Sequence, residues 1–212
     1  MKKAIVFSGA EIKDYSIIKK HINNYDFVAC ADCGITHCIE LNLNVNLWVG
    51  DFDSVKFNDF AGSPYLKSAE IIRLNPQKDD TDTEHIIDAL VDAGYEDITL
   101  FGALGTRLDH SLANVYLMEK AFLKGATLTI INENNILHYV NNSTIEINKS
   151  DYKYVSVLPL DAVRVSNQGF FYPLNDEVLY RASSRGISNE ISGKRGTITV
   201  SAGSALVIES ID

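Results

Sequence analysis

The chain has 212 residues, with 19 Lys plus Arg against 28 Asp plus Glu, 5 His, 3 Cys and a formal net charge of -9. That length allows one large domain or two small ones with a sizeable core, and 46% hydrophobic with 22% charged residues is an ordinary globular composition that argues against disorder as the main state. The acidic balance argues against nucleic acid as the main partner, because neutralising phosphates needs a basic face. It leaves small phosphate-bearing substrates open, because a divalent metal held by carboxylates reverses the local sign.

No apolar run reaches the ~20 residues that cross a bilayer, so no membrane partner is expected. The first apolar run is short and is followed at once by Glu11 and Asp14, so it reads as a buried strand and not as a signal peptide. Cys30, Cys33 and Cys38 make no even disulfide framework, which fits a reducing cytoplasm.

In chain order, residues 3–8 read as a strand, 14–22 as a helix, 27–31 as a strand, 34–41 as a helix and 47–49 as a strand. Residues 71–74 make a further short strand. Residues 81–93 read as a helix opened by a capping box of Thr81 and Glu84 and closed by Gly94. Then come a strand at 98–101, a helix at 108–123 and a strand at 127–131. This alternation predicts a Rossmann-like, mostly parallel sheet with helices on its faces. Helical periodicity stops near Asn132. Short alternating segments follow at 136–140, 144–147, 152–159, 162–166, 197–201 and 205–209, punctuated by turn residues, and predict an all-β sandwich. The boundary falls between Leu123 and Asn135, giving an α/β domain at 1–130 and a β domain at 131–212.

Acidic and glycine-rich clusters fall at expected strand ends, where open α/β sheets bind ligands. Asp51 and Asp53 flank one residue, so in an extended loop their carboxylates point the same way. With Asp79, Asp80 and Asp82 at the same rim they suit Mg2+, a hard cation that also takes water and phosphate oxygens; a solvated acidic loop is the alternative. Lys78 either contacts nucleotide phosphates or neutralises its acidic neighbours. Asp82 and Asp109 lie in helix first turns, where the helix dipole alone favours a carboxylate.

Gly102 and Gly105 permit a tight backbone, the following helix N-terminus favours an anion, and Arg107 adds a planar fork for phosphate oxygens. His110 and Asn114 share a helix face at i,i+4 and otherwise read as a hydrogen-bonded interior pair. The loop fits neither the Walker A nor the dinucleotide pattern. His37 among the cysteines fits no zinc spacing, and a redox pair is the other conceivable use of Cys30-x-x-Cys33. Cys30 reads as a small buried residue, Trp48 as core, and His21, His85 and His138 as structural. In the β half, Ser188, Asn189 and Glu190 either read the edge of a small heterocycle or close an ordinary hairpin.

The ordered set resembles the thiamine pyrophosphokinase family. It comprises Asp32 with Gly34, the run Gly50-Asp51-Phe52-Asp53-Ser54, the run Lys78-Asp79-Asp80-Thr81-Asp82, the run Gly105-Thr106-Arg107-Leu108-Asp109-His110 with Asn114, and Ser188-Asn189-Glu190. The resemblance implies transfer of the diphosphoryl unit of ATP to the hydroxyl of thiamine with release of AMP. It implies Asp51, Asp53 and Asp80 as the catalytic, Mg2+-holding carboxylates. ATP would be bound by Asp32, Lys78, Asp82, Gly102, Gly105, Arg107, Asp109, His110 and Asn114, and thiamine by Ser188, Asn189 and Glu190. It also implies a homodimer with active sites between subunits.

Two positions depart from the family pattern. Cys33 stands where a second glycine is frequent. Ile191 follows the Ser-Asn-Glu triplet where an aromatic is common, and so removes an expected stacking surface for thiamine. Another Mg2+-dependent phosphoryl transferase or nucleotide hydrolase, and a non-catalytic sensor of thiamine or nucleotide, share parts of the pattern.

Overall fold

The computed structural model describes residues 1–52, 57–60, 62–75, 77 and 79–212, so Asp53 and Lys78 lie outside the described residues. The chain divides into two compact units, Met1–Glu133 and Asn134–Asp212.

In the first unit the strands are β1 (Lys2–Phe7), β2 (Phe27–Ala31), β3 (Leu47–Gly50), β4 (Glu70–Arg73), β5 (Tyr95–Phe101) and β6 (Thr127–Ile131). The helices are α1 (Tyr15–Lys19), α2 (Ile35–Glu40), α3 (Phe57–Phe60), α4 (Asp82–Asp92) and α5 (Leu108–Leu123). All strand pairs here are parallel, in the order β6-β5-β1-β2-β3-β4. Ala4 to Phe7, Val28 to Ala31 and Leu47 to Gly50 are uninterrupted buried runs, as expected of parallel strands covered on both faces. The edge strand β4 is largely exposed.

The direction of winding reverses between β1 and β5. There Phe7 lies beside Phe101, the Ser8 amide donates to the Phe101 carbonyl at 2.9 Å, and the Ala10 amide donates to the Gly102 carbonyl at 2.9 Å. A reversal of this kind opens a crevice beyond the strand ends, where ligands of such sheets bind.

Helix α4 starts as its sequence demands. The Thr81 hydroxyl accepts from the Glu84 amide at 3.1 Å, and Thr83, Ile86, Ile87 and Leu90 form its buried stripe. Helix α5 buries Ser111, Asn114, Leu117, Met118 and Ala121. Lys120 reaches Glu84 at 2.7 Å and Asp88 at 2.6 Å, and Lys124 reaches Asp88 at 2.9 Å, so the two helices are clamped. Three sequence expectations shift. Helix α1 is only five residues long. Helix α2 is preceded by a 3-10 turn at Asp32–Gly34. Strand β5 begins at Tyr95, its polar first residues held by the Lys3–Asp97 ion pair at 2.8 Å.

The second unit contains β7 (Asn135–Asn141), β8 (Thr144–Asn148), β9 (Tyr154–Pro159), β10 (Ala162–Gln168), β11 (Glu177–Tyr180), β12 (Asn189–Glu190), β13 (Arg195–Ala202) and β14 (Ser204–Ser210). Its antiparallel strands run in the orders β12-β9-β14-β7 and β11-β10-β13-β8. Alternate residues point inward, so that Val155, Val157, Val163, Val165, Ile198, Val200 and Val207 share one core. Strands β11 and β12 are absent from the sequence expectation, being four and two residues long with little alternation to read.

Candidate active site

The β2–α2 and β3–α3 connections meet at Asp32. Its backbone is left-handed, with φ of 43°. Its carbonyl accepts from the Trp48 indole at 2.9 Å, and its Oδ1 accepts from the Phe52 amide at 3.3 Å. A Cβ on Gly50 would lie 2.1 Å from Asp32 Oδ1, so only glycine lets this carboxyl lie over the end of β3.

Phe52, which reads in the sequence as a spacer between two aspartates, is buried just past β3. Its own φ is 60°, a conformation costing a bulky residue about 1–3 kcal/mol. Its buried ring offsets that cost by packing edge-on against Trp48 at 4.7 Å and against Phe57 at 5.4 Å. Trp48 is fully buried core, as expected. Arg73, absent from the sequence-derived set, sits in register with Gly50 and places its guanidinium 5.6 Å from the Phe52 ring.

Asp82 opens α4 and shares a side-chain hydrogen bond with Asp32. Burial pushes the Asp32 carboxyl up to about 7, Asp82 adds to the rise, the Phe52 amide opposes it, and Asp51 adds further. Negative charge crowded this closely favours a proton or a cation at Asp32. The α4 start is fixed to β1 by a buried hydrogen bond of 2.7 Å between Ser8 and Thr83 hydroxyls, a pairing that sequence spacing gave no means of finding.

Asp80 lies outside that pair: its Oδ2 is 3.3 Å from His85 Nδ1. Asp79 is exposed. Among the described residues, no three acidic, histidine or cysteine side chains already enclose an ion position, and Asp53 and Lys78 fall outside that set.

The 102–107 loop closes the crevice. Gly102 has φ of 61°, and a Cβ there would lie 2.4 Å from the Ser8 carbonyl. Ser111 staples the loop from α5, its hydroxyl accepting from the Gly105 amide at 3.0 Å and lying 3.1 Å from the Arg107 carbonyl. The buried Asn114 amide donates to the Ala103 carbonyl at 2.9 Å, so it shapes the loop, while His110 stands exposed and is not its partner face to face. Arg107 forks onto Asp109 at 2.6 and 3.2 Å. Both are exposed, and the guanidinium holds the Asp109 carboxyl down at about 2.

The cysteines do other work. Cys30 and Cys38 are buried, and burial pushes the Cys30 thiol well up, with Cys38 adding to it. That favours the protonated thiol over a metal-binding thiolate. The His37 ring lies between the Tyr15 hydroxyl at 2.7 Å and the Ala10 carbonyl at 3.0 Å. Cys33 takes space that Gly9 leaves open: a Cβ on Gly9 would lie 2.6 Å from Cys33 Sγ.

In the second unit, Ser188 has a left-handed φ of 58° and its amide donates to the Ser156 hydroxyl at 3.0 Å. Asn189 and Glu190 form β12 on the edge of β9, and Glu190 lies 3.5 Å from Lys153. Ser188 and Asn189 line a cavity of about 230 Å³ with Tyr172, Val155, Val157 and Ile198. Ile191 is buried in the core against Phe170.

The family model described as the thiamin pyrophosphokinase catalytic domain matches residues 18–130, and the one described as the thiamin pyrophosphokinase vitamin B1 binding domain matches residues 142–207. A thiamine pyrophosphokinase of Bacillus subtilis is 30% identical over 167 residues, 77% of each chain. Among solved structures, the thiamin pyrophosphokinase of Geobacillus thermodenitrificans is 28% identical with a TM-score of 0.85, over 100% of this chain and 98% of that one. The Bacillus subtilis structure is 24% identical with a TM-score of 0.88 over 100% of both chains. That from Candida albicans is 17% identical with a TM-score of 0.78 over 100% of this chain and 89% of that one. The last two likenesses speak to fold alone.

Proposed function

The chain belongs to the thiamin pyrophosphokinase family and is a thiamine diphosphokinase, and from that premise we propose how its residues move the diphosphoryl group of ATP onto the hydroxyl of thiamine, giving thiamine diphosphate and AMP. The observation that carries the proposal is the Asp32 carboxyl just past β2, pushed up to about 7 by burial and by the nearby Asp82 and Asp51. A rim of this composition is short of positive charge, and its donors are all hard carboxylate oxygens, which fit Mg2+. Asp51, Asp53 and Asp80 would hold that ion directly or through water, with Asp32 and Asp82 behind them. The ion would supply charge compensation for the triphosphate.

The protein's own groups would do the positioning. The backbone of residues 102–105 and the N-terminus of α5 face the phosphates. Lys78 and Arg107 neutralise them, Arg107 exchanging Asp109 for a phosphate oxygen, a swap that costs little between two exposed groups. Asp109, His110 and Asn114 order the nucleotide end, Asn114 by fixing the loop. The thiamine oxygen attacks the β-phosphorus in line. The bond from that phosphorus to the bridging oxygen of AMP breaks, and the hydroxyl proton passes to a carboxylate of the rim. Catalysis of this kind is positioning and electrostatics.

Ser188, Asn189 and Glu190 belong to the thiamine side. We further place the protein in the cytoplasm, supported by its odd set of three cysteines, and as a homodimer with active sites between subunits. Among the described residues no helix is long and apolar enough to cross a membrane.

Exchanging Asp51 or Asp53 for Asn removes one charge each and keeps the shape. Turnover is expected to fall by about 100-fold or more with circular dichroism and melting unchanged. Near-normal turnover in a folded Asp51→Asn or Asp53→Asn protein would contradict the carboxylate roles.

A further inference from the structure

Within the second unit, the Asn189 side chain does not reach into the cavity it borders. Its Oδ1 accepts from the Tyr172 amide at 3.0 Å and from the Glu190 amide at 2.9 Å, and its Nδ2 donates to the Tyr172 carbonyl at 2.6 Å. Both ends of the amide are therefore spent on main chain, and the residue is 9% exposed. A second buried amide, Asn167, donates to the same Tyr172 carbonyl at 3.2 Å and accepts from the Leu174 amide at 2.8 Å.

Two buried asparagines thus fix the backbone of one aromatic residue that is 63% exposed and lines the cavity. An exposed aromatic on a rigidly held backbone, bordering a cavity that the buried Val155, Val157 and Ile198 also line, is a surface able to receive a flat ring. Ile191 is 3% exposed and turned into the core, so the side chain after the Ser-Asn-Glu triplet offers no such surface in this chain.

Resting on the thiamine-binding reading above, we propose that the Tyr172 ring is the surface against which a thiamine heterocycle packs, and that Asn189 is a positioning residue that acts through Tyr172. The ring would gain stacking on the aminopyrimidine or a cation–π contact to the positive thiazolium.

Thiamine binding to the full chain is measured by isothermal titration, alongside kcat and KM for thiamine and for ATP. Tyr172→Ala is expected to weaken thiamine binding about tenfold or more, raise the thiamine KM by a similar factor and leave the ATP KM alone. Tyr172→Phe restores affinity to within about threefold, because the ring and not the hydroxyl carries the contact.

A double-mutant cycle separates positioning from contact. If Asn189 works through Tyr172, Asn189→Ala costs affinity in the wild type and almost none in the Tyr172→Ala background. Additive losses would overturn the positioning role. A Tyr172→Ala protein that binds thiamine as well as wild type would overturn the proposal and leave the enzyme reading intact. Wild-type protein that binds no thiamine would overturn that reading, and this proposal with it.

Discussion

Asp32 illustrates how one side chain joins fold to function. Its carboxyl is pushed up to about 7 from an ordinary 3.8, by burial first and Asp82 second. The folded chain therefore holds this proton more tightly than the unfolded chain does. The resulting stabilisation is complete below pH 3.8 and is lost as pH rises through 7. In chelator-containing buffer, the melting temperature of the wild type should fall between pH 5 and pH 8. Asp32→Asn, which stays neutral and can still accept from the Phe52 amide, should flatten that slope; an unchanged slope in the variant would show that the carboxyl is not the titrating group. Phe52 gives a second expectation at this scale. Phe52→Ala loses the ring contacts with Trp48 and Phe57 while keeping a strained backbone, and should cost about 3 kcal/mol in urea unfolding. Composition and spacing singled out the aspartates as candidates. That the Phe52 amide donates to Asp32 and its ring packs on Trp48 was not legible, because a lone aromatic between two charges carries no periodic signal.

At the scale of elements, long periodic segments were the readable ones. Helix α5 and strand β6 occupy Leu108–Leu123 and Thr127–Ile131, as their patterns demand, and the Thr81–Glu84 box marks the start of α4. Short elements were not readable: β11 has one fully buried residue, Leu179, and β12 is two residues whose pairing is set by β9. Side-chain direction was also invisible. Spacing puts His110 and Asn114 on one helix face, yet Asn114 turns inward to the Ala103 carbonyl. Asn114→Ala should therefore leave a buried carbonyl unpaired and cost about 1–3 kcal/mol. It should also raise the ATP KM more than it lowers kcat, since the loop it holds faces the phosphates in the proposed site. An ATP KM equal to wild type would make Asn114 a stability residue only.

Over the whole molecule, the change near Asn132 from alternating strands and helices to short alternating strands carried the two-part architecture. It follows from the physics of covered parallel sheets against half-buried antiparallel ones. The acidic total of -9 is compatible with a polyphosphate substrate only if a cation offsets it, as the proposed function supposes. The most direct test incubates purified protein with ATP, thiamine and Mg2+ and resolves nucleotides and thiamine species by chromatography. The account predicts thiamine diphosphate and AMP in equal amounts, and neither when the metal is chelated. ATP loss to ADP or phosphate with thiamine unchanged would contradict it.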